Sequence, residues 1–405
     1  MDITTQILLY GFGIALILGA VAQKTNFCTM GAVSDYVNMG HTGRMRAWFL
    51  AIGVAILGVL LLELLGLANM AMTTSNATSQ PPYRIDQLAW PRYILGGIIF
   101  GIGMTLGSGC GNKTMLRLGG GNLKSIVVIL SIGVAAYMML FTSWDHYLFL
   151  QWMNPLAIDL GGRGIESQEI GVILGGLAGM ENPRTLAYIV AGIVGLGTLA
   201  WVFKSADLRS NFDNILGGGV IGLCVVAAWY VTAGPMGAEW MEALEWGETQ
   251  SLASGAQSYT FIAPAGQFLN WLTNPTMSLV SFAMAALAGV IVGSLAWSLI
   301  SRTFRWEWFS SFRDFMTHVL GGLLMGVGGV LAMGCTIGQG VTGVSTMALG
   351  SFLALGSIIF GSALTMKIQY YKMVYEDEAS FGKAFVTALV DMRLLPSGMR
   401  KLEAV

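Results

Sequence analysis

The chain has 405 residues, of which 55% are apolar and only 11% are charged, with a formal net charge of −1. A soluble domain carries roughly 25% charged residues, so this composition argues against a soluble enzyme, and without a basic excess it does not suit a nucleic-acid binder. Glycine occurs 55 times, about twice the usual frequency of roughly 7%. Such a chain is typical of a polytopic membrane protein, where glycine lets helices approach closely.

Nine apolar segments are long enough to cross the roughly 30 Å hydrocarbon core of a bilayer as helices. They are, in chain order, residues 5–27, 46–68, 93–110, 123–142, 184–203, 214–233, 277–300, 317–335 and 343–366. A shorter apolar segment at 170–179 cannot cross alone and is expected to form a short helix. The sequence therefore predicts an all-α polytopic membrane protein with about nine transmembrane helices plus short re-entrant helices.

The basic residues predict the orientation. Seventeen of the 21 lysines and arginines lie on one side of these spans, whereas the long loop 234–276 on the other side has none. Cytoplasmic loops carry the excess of positive charge, so we expect a protein of the inner (plasma) membrane with its N-terminus outside and its C-terminus in the cytoplasm. One transmembrane domain is predicted over 1–366, followed by a cytoplasmic tail at 367–405.

An internal repeat relates residues 95–110 to residues 320–335. At a constant offset of 225, eight of the sixteen positions are identical, and both copies end in Gly-Cys, at Cys110 and Cys335. In the predicted orientation the two copies run in opposite directions, which indicates an inverted repeat about a pseudo-two-fold axis in the membrane plane. We expect repeat-bearing halves at about 1–142 and 184–366, joined by a linker, 143–183, that contains the short helix.

Polar, glycine-containing turns follow both repeat cysteines and predict helix breaks. Non-helical backbone at membrane depth is tolerated only against protein or a wet cavity, so the two thiols are expected to line one path. Cys28, at the end of the first span, has a similar setting, whereas Cys224 lies in an ordinary apolar run and is expected to pack as a small hydrophobic side chain. The candidate path residues are Cys28, Cys110, Cys335, Lys113, Gln339, Thr336 and Asn112.

The chemistry of thiols leaves two main uses for such a path. Soft sulfur ligands suit Cu(I), but no methionine ladder accompanies the cysteines and the chain has only three histidines. A sulfur-containing anion is the other use, attracted by Lys113 and by the N–H groups of broken helices. Glu63 is the only acid inside a predicted span, and there is no nucleotide-binding loop. We therefore expect a transporter without catalytic residues, metal site or cofactor.

At these cysteine-bearing blocks the chain resembles the YeeE/YedE family of sulfur-compound membrane transporters, in particular its thiosulfate-importing branch. The resemblance implies nine membrane-spanning helices with short extra helices and a central path of three cysteines, which correspond to Cys28, Cys110 and Cys335. It also implies that thiosulfate passes through S–H···S contacts and that a cytosolic TusA/SirA-like sulfur-carrier protein is a possible partner. The alternatives are a transporter for another sulfur or selenium compound, and a membrane thiol redox protein that cycles Cys110 and Cys335.

Overall fold

A computed structural model describes residues 2–246 and 254–403. Its α-helices are α1 Ile3–Lys24, α2 Thr29–Ser34, α3 Gly43–Leu64, α4 Trp90–Leu106, α5 Gly111–Gly119, α6 Lys124–Phe141, α7 Gln151–Met153, α8 Ile170–Leu177, α9 Pro183–Phe203, α10 Ala206–Ser210, α11 Phe212–Ala233, α12 Pro235–Glu245, α13 Ala263–Thr273, α14 Phe282–Ile300, α15 Phe312–Leu331, α16 Leu349–Val374 and α17 Phe381–Asp391. Short π-helical turns occupy Asp35–Met39, His146–Leu150 and Gly338–Gly343. Two strands, β1 Gln87–Leu88 and β2 Ile158–Asp159, pair antiparallel.

Within the described part of the chain, nine helical segments are long and apolar enough to span a membrane. They are built on α1, α3, α4, α6, α9, α11, α14, α15 and α16, which confirms the predicted all-α polytopic architecture. We call the side on which α1 begins the first face and the side on which it ends the second face. Because the spans alternate in direction, the chain after α16 lies on the second face.

The two copies of the repeat lie on α4 and α15, which pack against each other in antiparallel directions. A Cβ on Gly321 would lie 2.3 Å from the backbone N of Gly107, so only glycine permits this approach. The close contacts are reciprocal under the offset of 225, with Gly96 on Ala332 and Gly107 on Gly321, and with Gly103 on Met325 and Phe100 on Gly328. Reciprocal contacts between antiparallel copies are what a two-fold axis perpendicular to the helices produces, as expected for an inverted repeat.

Several boundaries differ from the sequence prediction. α15 begins at Phe312 rather than 317, and α16 continues to Val374 rather than ending at 366. Residues 143–183 contain more than one short helix, because a π-helical turn, α7 and β2 precede α8.

The segment predicted as the loop 234–276 is also different. It contains α12 and α13, and between them an extended segment, 256–262, whose side chains are all buried. This segment enters the protein interior, so the region is a re-entrant element in addition to a surface loop.

Candidate functional site

Three long helices end in the same way, each just before a cysteine. A residue with left-handed backbone stands two positions before each cysteine, namely Asn26 at φ 50°, Ser108 at φ 57° and Met333 at φ 58°. The following N–H donates back to a carbonyl five residues earlier, from Phe27 to Ala22, from Gly109 to Met104 and from Gly334 to Gly329. This is the Schellman ending of a helix. The motif therefore occurs three times, and Cys28 has the same backbone setting as the two repeat cysteines.

Each cysteine then occupies the N-cap position of a short helix. Cys28 precedes α2, Cys110 precedes α5, and Cys335 precedes a helix at 336–345. The Gly31 N–H donates to the Cys28 sulfur at 3.4 Å, and the Gly338 N–H donates to the Cys335 sulfur at 3.3 Å. The first N–H groups of a helix have no helical acceptor and, with the helix dipole, favour an anion. The broken helices predicted from the polar turns are thus present at all three thiols.

The three thiols are linked through direct neighbours. The Cys28 thiol lies beside that of Cys110, and Cys110 also neighbours the hydroxyl of Thr336, the residue after Cys335. All three cysteines are buried and free of disulfides. The redox alternative predicted that Cys110 pairs with Cys335, but the thiol that lies beside Cys110 is that of Cys28. The Cys28 and Cys110 thiols, the Thr336 hydroxyl and the adjacent Cys335 thus form a row of neighbouring polarizable and hydroxyl groups in the protein interior.

Predicted path residues also carry polar atoms that lack partners. The Oδ1 of Asn112, the Oγ1 of Thr336 and the Oε1 of Gln339 are buried and have no hydrogen-bond partner, whereas the Gln339 amide N–H donates to the Ala332 carbonyl at 2.6 Å. An unpaired buried polar group costs roughly 1–3 kcal/mol. Only seven side chains carry such atoms among the residues that the structure describes, so their concentration here favours a site that a ligand or water completes.

A cavity of about 500 Å³ opens on the second face, next to Cys28 and Cys110. Its charged lining residues are Lys113, Arg117, Lys124, Arg305, Glu307 and Asp314. Lys113 extends from the first turn of α5 and donates to the Asn26 side chain at 3.0 Å. It is also among the charges nearest to the Cys28 thiol. Lys113 therefore lines this cavity and lies near the Cys28 thiol, and its role in the path stays a prediction.

A second cavity, of about 430 Å³, opens on the first face. We call it the first-face cavity. It is lined by the end of α15 up to Gly334, the residue before Cys335, and by Thr260. Thr260 also neighbours the Cys335 thiol. The three thiols therefore lie between two cavities that open on opposite faces.

A buried ion-pair network lies beside the 336–345 helix. Arg84 donates to both carboxylate oxygens of Glu63, at 2.7 and 3.0 Å, and to the Thr346 carbonyl at 2.9 Å. Glu169 lies 3.4 Å from the same guanidinium, and burial raises the pKa of Glu169 above its ordinary value even though Arg84 opposes this. Glu63, the only acid in a predicted span, is therefore explained by a structural ion pair.

Sequence reasoning missed Thr260 and the rest of the buried segment 256–262. The apolar run Tyr-Thr-Phe-Ile-Ala-Pro-Ala-Gly at 259–266 was a usable signal, because it is far more apolar than an exposed loop needs to be. Cys224, by contrast, is placed as expected. It is buried within α11, and its sulfur faces the Ile14 carbonyl at 3.8 Å.

Comparison with known proteins agrees with this architecture. Residues 24–364 match the family described as sulphur transport. The thiosulfate transporter TsuA of Spirochaeta thermophila is 23% identical over 357 residues, covering 87% of this chain and 96% of that protein. TsuA of Escherichia coli K12 is 24% identical over 360 residues, covering 88% and 93%. Because the family model matches residues 24–364, which include Cys28, Cys110 and Cys335, the chain belongs to the sulphur transport (YeeE/YedE) family and is a membrane transporter of sulfur compounds, not an enzyme.

Proposed function

We propose that the protein imports thiosulfate through a central path lined by Cys335, Cys110 and Cys28. The observation that carries the proposal is the position of three cysteine-capped helix N-termini between two cavities on opposite faces. The relatives named as thiosulfate transporters support the choice of substrate. The buried, unpaired hydroxyl of Thr336 lies between Cys335 and Cys110 and supplies a further polar contact.

The chemistry of the path suits a soft dianion. Thiosulfate has a terminal sulfur, which accepts a weak S–H hydrogen bond, and three oxygens, which accept N–H groups at the helix N-termini. A path must bind its substrate well enough to admit it and weakly enough to release it. Successive S–H···S contacts meet both requirements, because each is weak and no covalent bond has to form or break.

The proposed direction follows from charge. With 17 of the 21 basic residues on the second face, that face is cytoplasmic and the first face is outside. The first-face cavity then receives thiosulfate, and the basic second-face cavity releases it into the cytoplasm of a cell whose inner membrane holds the protein. A cytosolic TusA/SirA-like carrier would act downstream of release.

The test is uptake of ³⁵S-thiosulfate, and growth on thiosulfate as sole sulfur source, in a strain that lacks its own thiosulfate uptake. The wild-type protein should restore both, Cys335→Ala should restore neither, and the matched control Cys224→Ala should behave as wild type. Excess unlabelled selenosulfate, sulfite and sulfate should compete less than thiosulfate. Restored growth on another sulfur source, without thiosulfate uptake, would reassign the substrate, and normal uptake by Cys335→Ala would remove the thiol path.

A further inference from the structure

We propose that Arg92 is an anion-capture site in the first-face cavity, which binds the oxygen atoms of thiosulfate before the terminal sulfur reaches Cys335. The inference rests on the proposed function and adds a residue that the cysteine motifs do not contain. Arg92 lies in the first turn of α4 and lines the cavity.

The hydrogen-bonding state of Arg92 is the first argument. Its Nε is shielded from solvent and has no hydrogen-bond partner. Among the described residues, no carboxylate oxygen lies within 4.0 Å of this side chain. Asp145 lines the same cavity but does not form an ion pair with it. A buried N–H without an acceptor is costly, and an oxyanion from solvent supplies an acceptor for this Nε.

The rest of the cavity is the second argument. Arg92 and Asp145 are its only charged lining residues in the described chain, so Arg92 is the one lining cation that an anion entering this cavity meets. Gln267 also lines the cavity, and its Oε1 already accepts from the Ser281 hydroxyl at 2.6 Å. The amide NH₂ of Gln267 is therefore the end left for an acceptor, which an oxyanion is.

The connection to the thiols is the third argument. Thr260 lines the cavity and neighbours the Cys335 thiol, so an anion held at Arg92 is in the compartment that leads to that thiol. A planar guanidinium presents paired N–H donors that match two oxygens of a tetrahedral oxyanion, which a lysine ammonium cannot reproduce. The two chemistries are then separate, since Arg92 recognises the charged oxygens and the cysteines recognise the soft sulfur.

The second-face cavity gives a useful contrast. There, Lys124 forms an ion pair with Asp314 at 2.8 Å, and further cations share the same space. No single substitution removes all the lining cations of the second-face cavity. In the first-face cavity, substitution of Arg92 alone removes the one lining cation of the described chain, which makes its role testable by kinetics.

The experiment measures initial rates of ³⁵S-thiosulfate uptake against concentration for wild type, Arg92→Gln, Arg92→Lys and Arg163→Gln. The last variant is the control, because Arg163 lies on the same face in an exposed turn outside the cavity. For Arg92→Gln we expect KM to rise by about tenfold or more, the loss expected when a charged hydrogen bond is removed. The maximal rate should change less than KM. Arg92→Lys should recover part of the affinity, and Arg163→Gln should match wild type.

A binding measurement keeps the outcome clear if a variant is poorly expressed. Purified wild-type protein should gain thermal stability with added thiosulfate, and Arg92→Gln should need about tenfold more thiosulfate for the same gain. Removing an unpaired, half-buried charge should not impair folding. An unchanged KM and an unchanged thermal shift in Arg92→Gln, alongside loss of uptake in Cys335→Ala, would overturn the capture site and leave the proposed thiol path standing. Normal uptake by both Arg92→Gln and Cys335→Ala would contradict both the capture site and the thiol path.

Discussion

At the scale of single residues, the three cysteines of the proposed path differ in what their side chains do for the backbone. Cys28 and Cys335 accept an N–H from the helix that each begins, whereas Cys110 makes no such side-chain cap. Serine is among the preferred N-cap residues, so serine preserves the cap at Cys28 and Cys335 while removing the polarizable sulfur. Alanine removes both. The two substitutions therefore separate helix capping from substrate contact.

We predict that Cys110→Ser and Cys110→Ala lose uptake to a similar extent, by roughly tenfold or more, because no cap is present to preserve. At Cys28 and Cys335 the alanine variants should also lose stability, by roughly 0.5–2 kcal/mol for the missing cap, and the serine variants should not. Uptake and thermal unfolding of the purified proteins give both quantities, with Cys224→Ala as control. Wild-type uptake by the serine variants at all three positions would show that the path does not need sulfur.

How far the site could be predicted differs from residue to residue. The repeat in the sequence identifies Cys110 and Cys335 as candidates, and the polar residues that follow them, Asn112, Thr336 and Gln339, carry buried oxygen atoms without partners, although their role in the path stays a prediction. The sequence only partly indicates that Cys28 has the same backbone setting as the two repeat cysteines. The reason is that the residues with left-handed backbone, Asn26, Ser108 and Met333, are three different amino acids. Thr260 could not be found from local pattern, since its contact with Cys335 joins distant parts of the chain.

At the scale of elements, the antiparallel pair of α4 and α15 holds the centre of the protein together. Glycines from both copies of the repeat face each other along the whole contact, so backbone lies directly on backbone. In a membrane, such close packing replaces the hydrophobic effect as the source of helix association. The two helices also carry Cys110 and Cys335 at their ends, so their separation fixes the positions of two thiols.

We predict that Gly321→Leu destabilises the protein strongly and abolishes uptake, whereas Gly356→Leu does neither. A side chain at 321 would overlap the Gly107 backbone, which cannot move away as a flexible side chain could, whereas Gly356 has no atom within 4 Å of an added Cβ. Overpacking typically costs about 1–3 kcal/mol, and more where backbone must shift. Detergent-solubilised yield and thermal unfolding measure the effect. Equal stability of the two variants would mean that α4 and α15 are not in direct contact.

The C-terminal tail is a second element with a defined attachment. Asp391 of α17 accepts from the Tyr371 hydroxyl at 2.6 Å and lies 3.3 Å from the Lys367 ammonium, and it also pairs with Arg400. Although burial opposes the shift, the Tyr371 hydrogen bond and the two cations hold the pKa of Asp391 below its ordinary value. The carboxylate thus stabilises the docked tail in its ionised form.

The sign of the pH effect follows from that direction. A depressed pKa in the docked state stabilises docking above the ordinary pKa of aspartate, and the stabilisation is lost as the pH falls through the lowered value. We predict that limited proteolysis or hydrogen exchange shows the tail protected at neutral pH and released in acid. Asp391→Asn should release it already at neutral pH, and Asp207→Asn, a change to an exposed aspartate elsewhere, should not. A tail equally protected in Asp391→Asn at neutral pH would show that apolar packing alone docks it.

The elements themselves were largely predictable, because apolar length is a strong signal for a membrane helix. The nine spans appear close to their predicted places. The buried segment 256–262 was missed although the apolar run at 259–266 indicates burial, because periodicity alone does not distinguish a re-entrant segment from a strand or a buried piece of helix. The docking of α17 could not be predicted from the sequence. Its ion pairs join Asp391 to Lys367 and Arg400, which are separated along the chain and look like ordinary charged residues of a tail.

At the scale of the whole molecule, the direction of transport depends on which face is outside. The distribution of basic residues predicts that the first face is outside. In the described chain, the first-face cavity is lined by one cation, Arg92, and one anion, Asp145. The second-face cavity has several lining cations, which Asp314 and Glu307 only partly neutralise.

We predict that a phosphatase fused to the C-terminus is inactive while a fluorescent protein fused there is bright, because the chain after α16 lies on the second face. A cysteine placed by Arg163→Cys should react with a charged, membrane-impermeant maleimide added to intact cells, because Arg163 is exposed in the turn Gly161–Arg163 on the first face. Native cysteines give little background, since all four are buried. Arg209→Cys, exposed near the second-face end of α9, should react only after the cells are opened. The reverse labelling pattern, with an active phosphatase fusion, would invert the protein in the membrane, and Arg92 would then face the cytoplasm as part of the release cavity instead of capturing thiosulfate from outside.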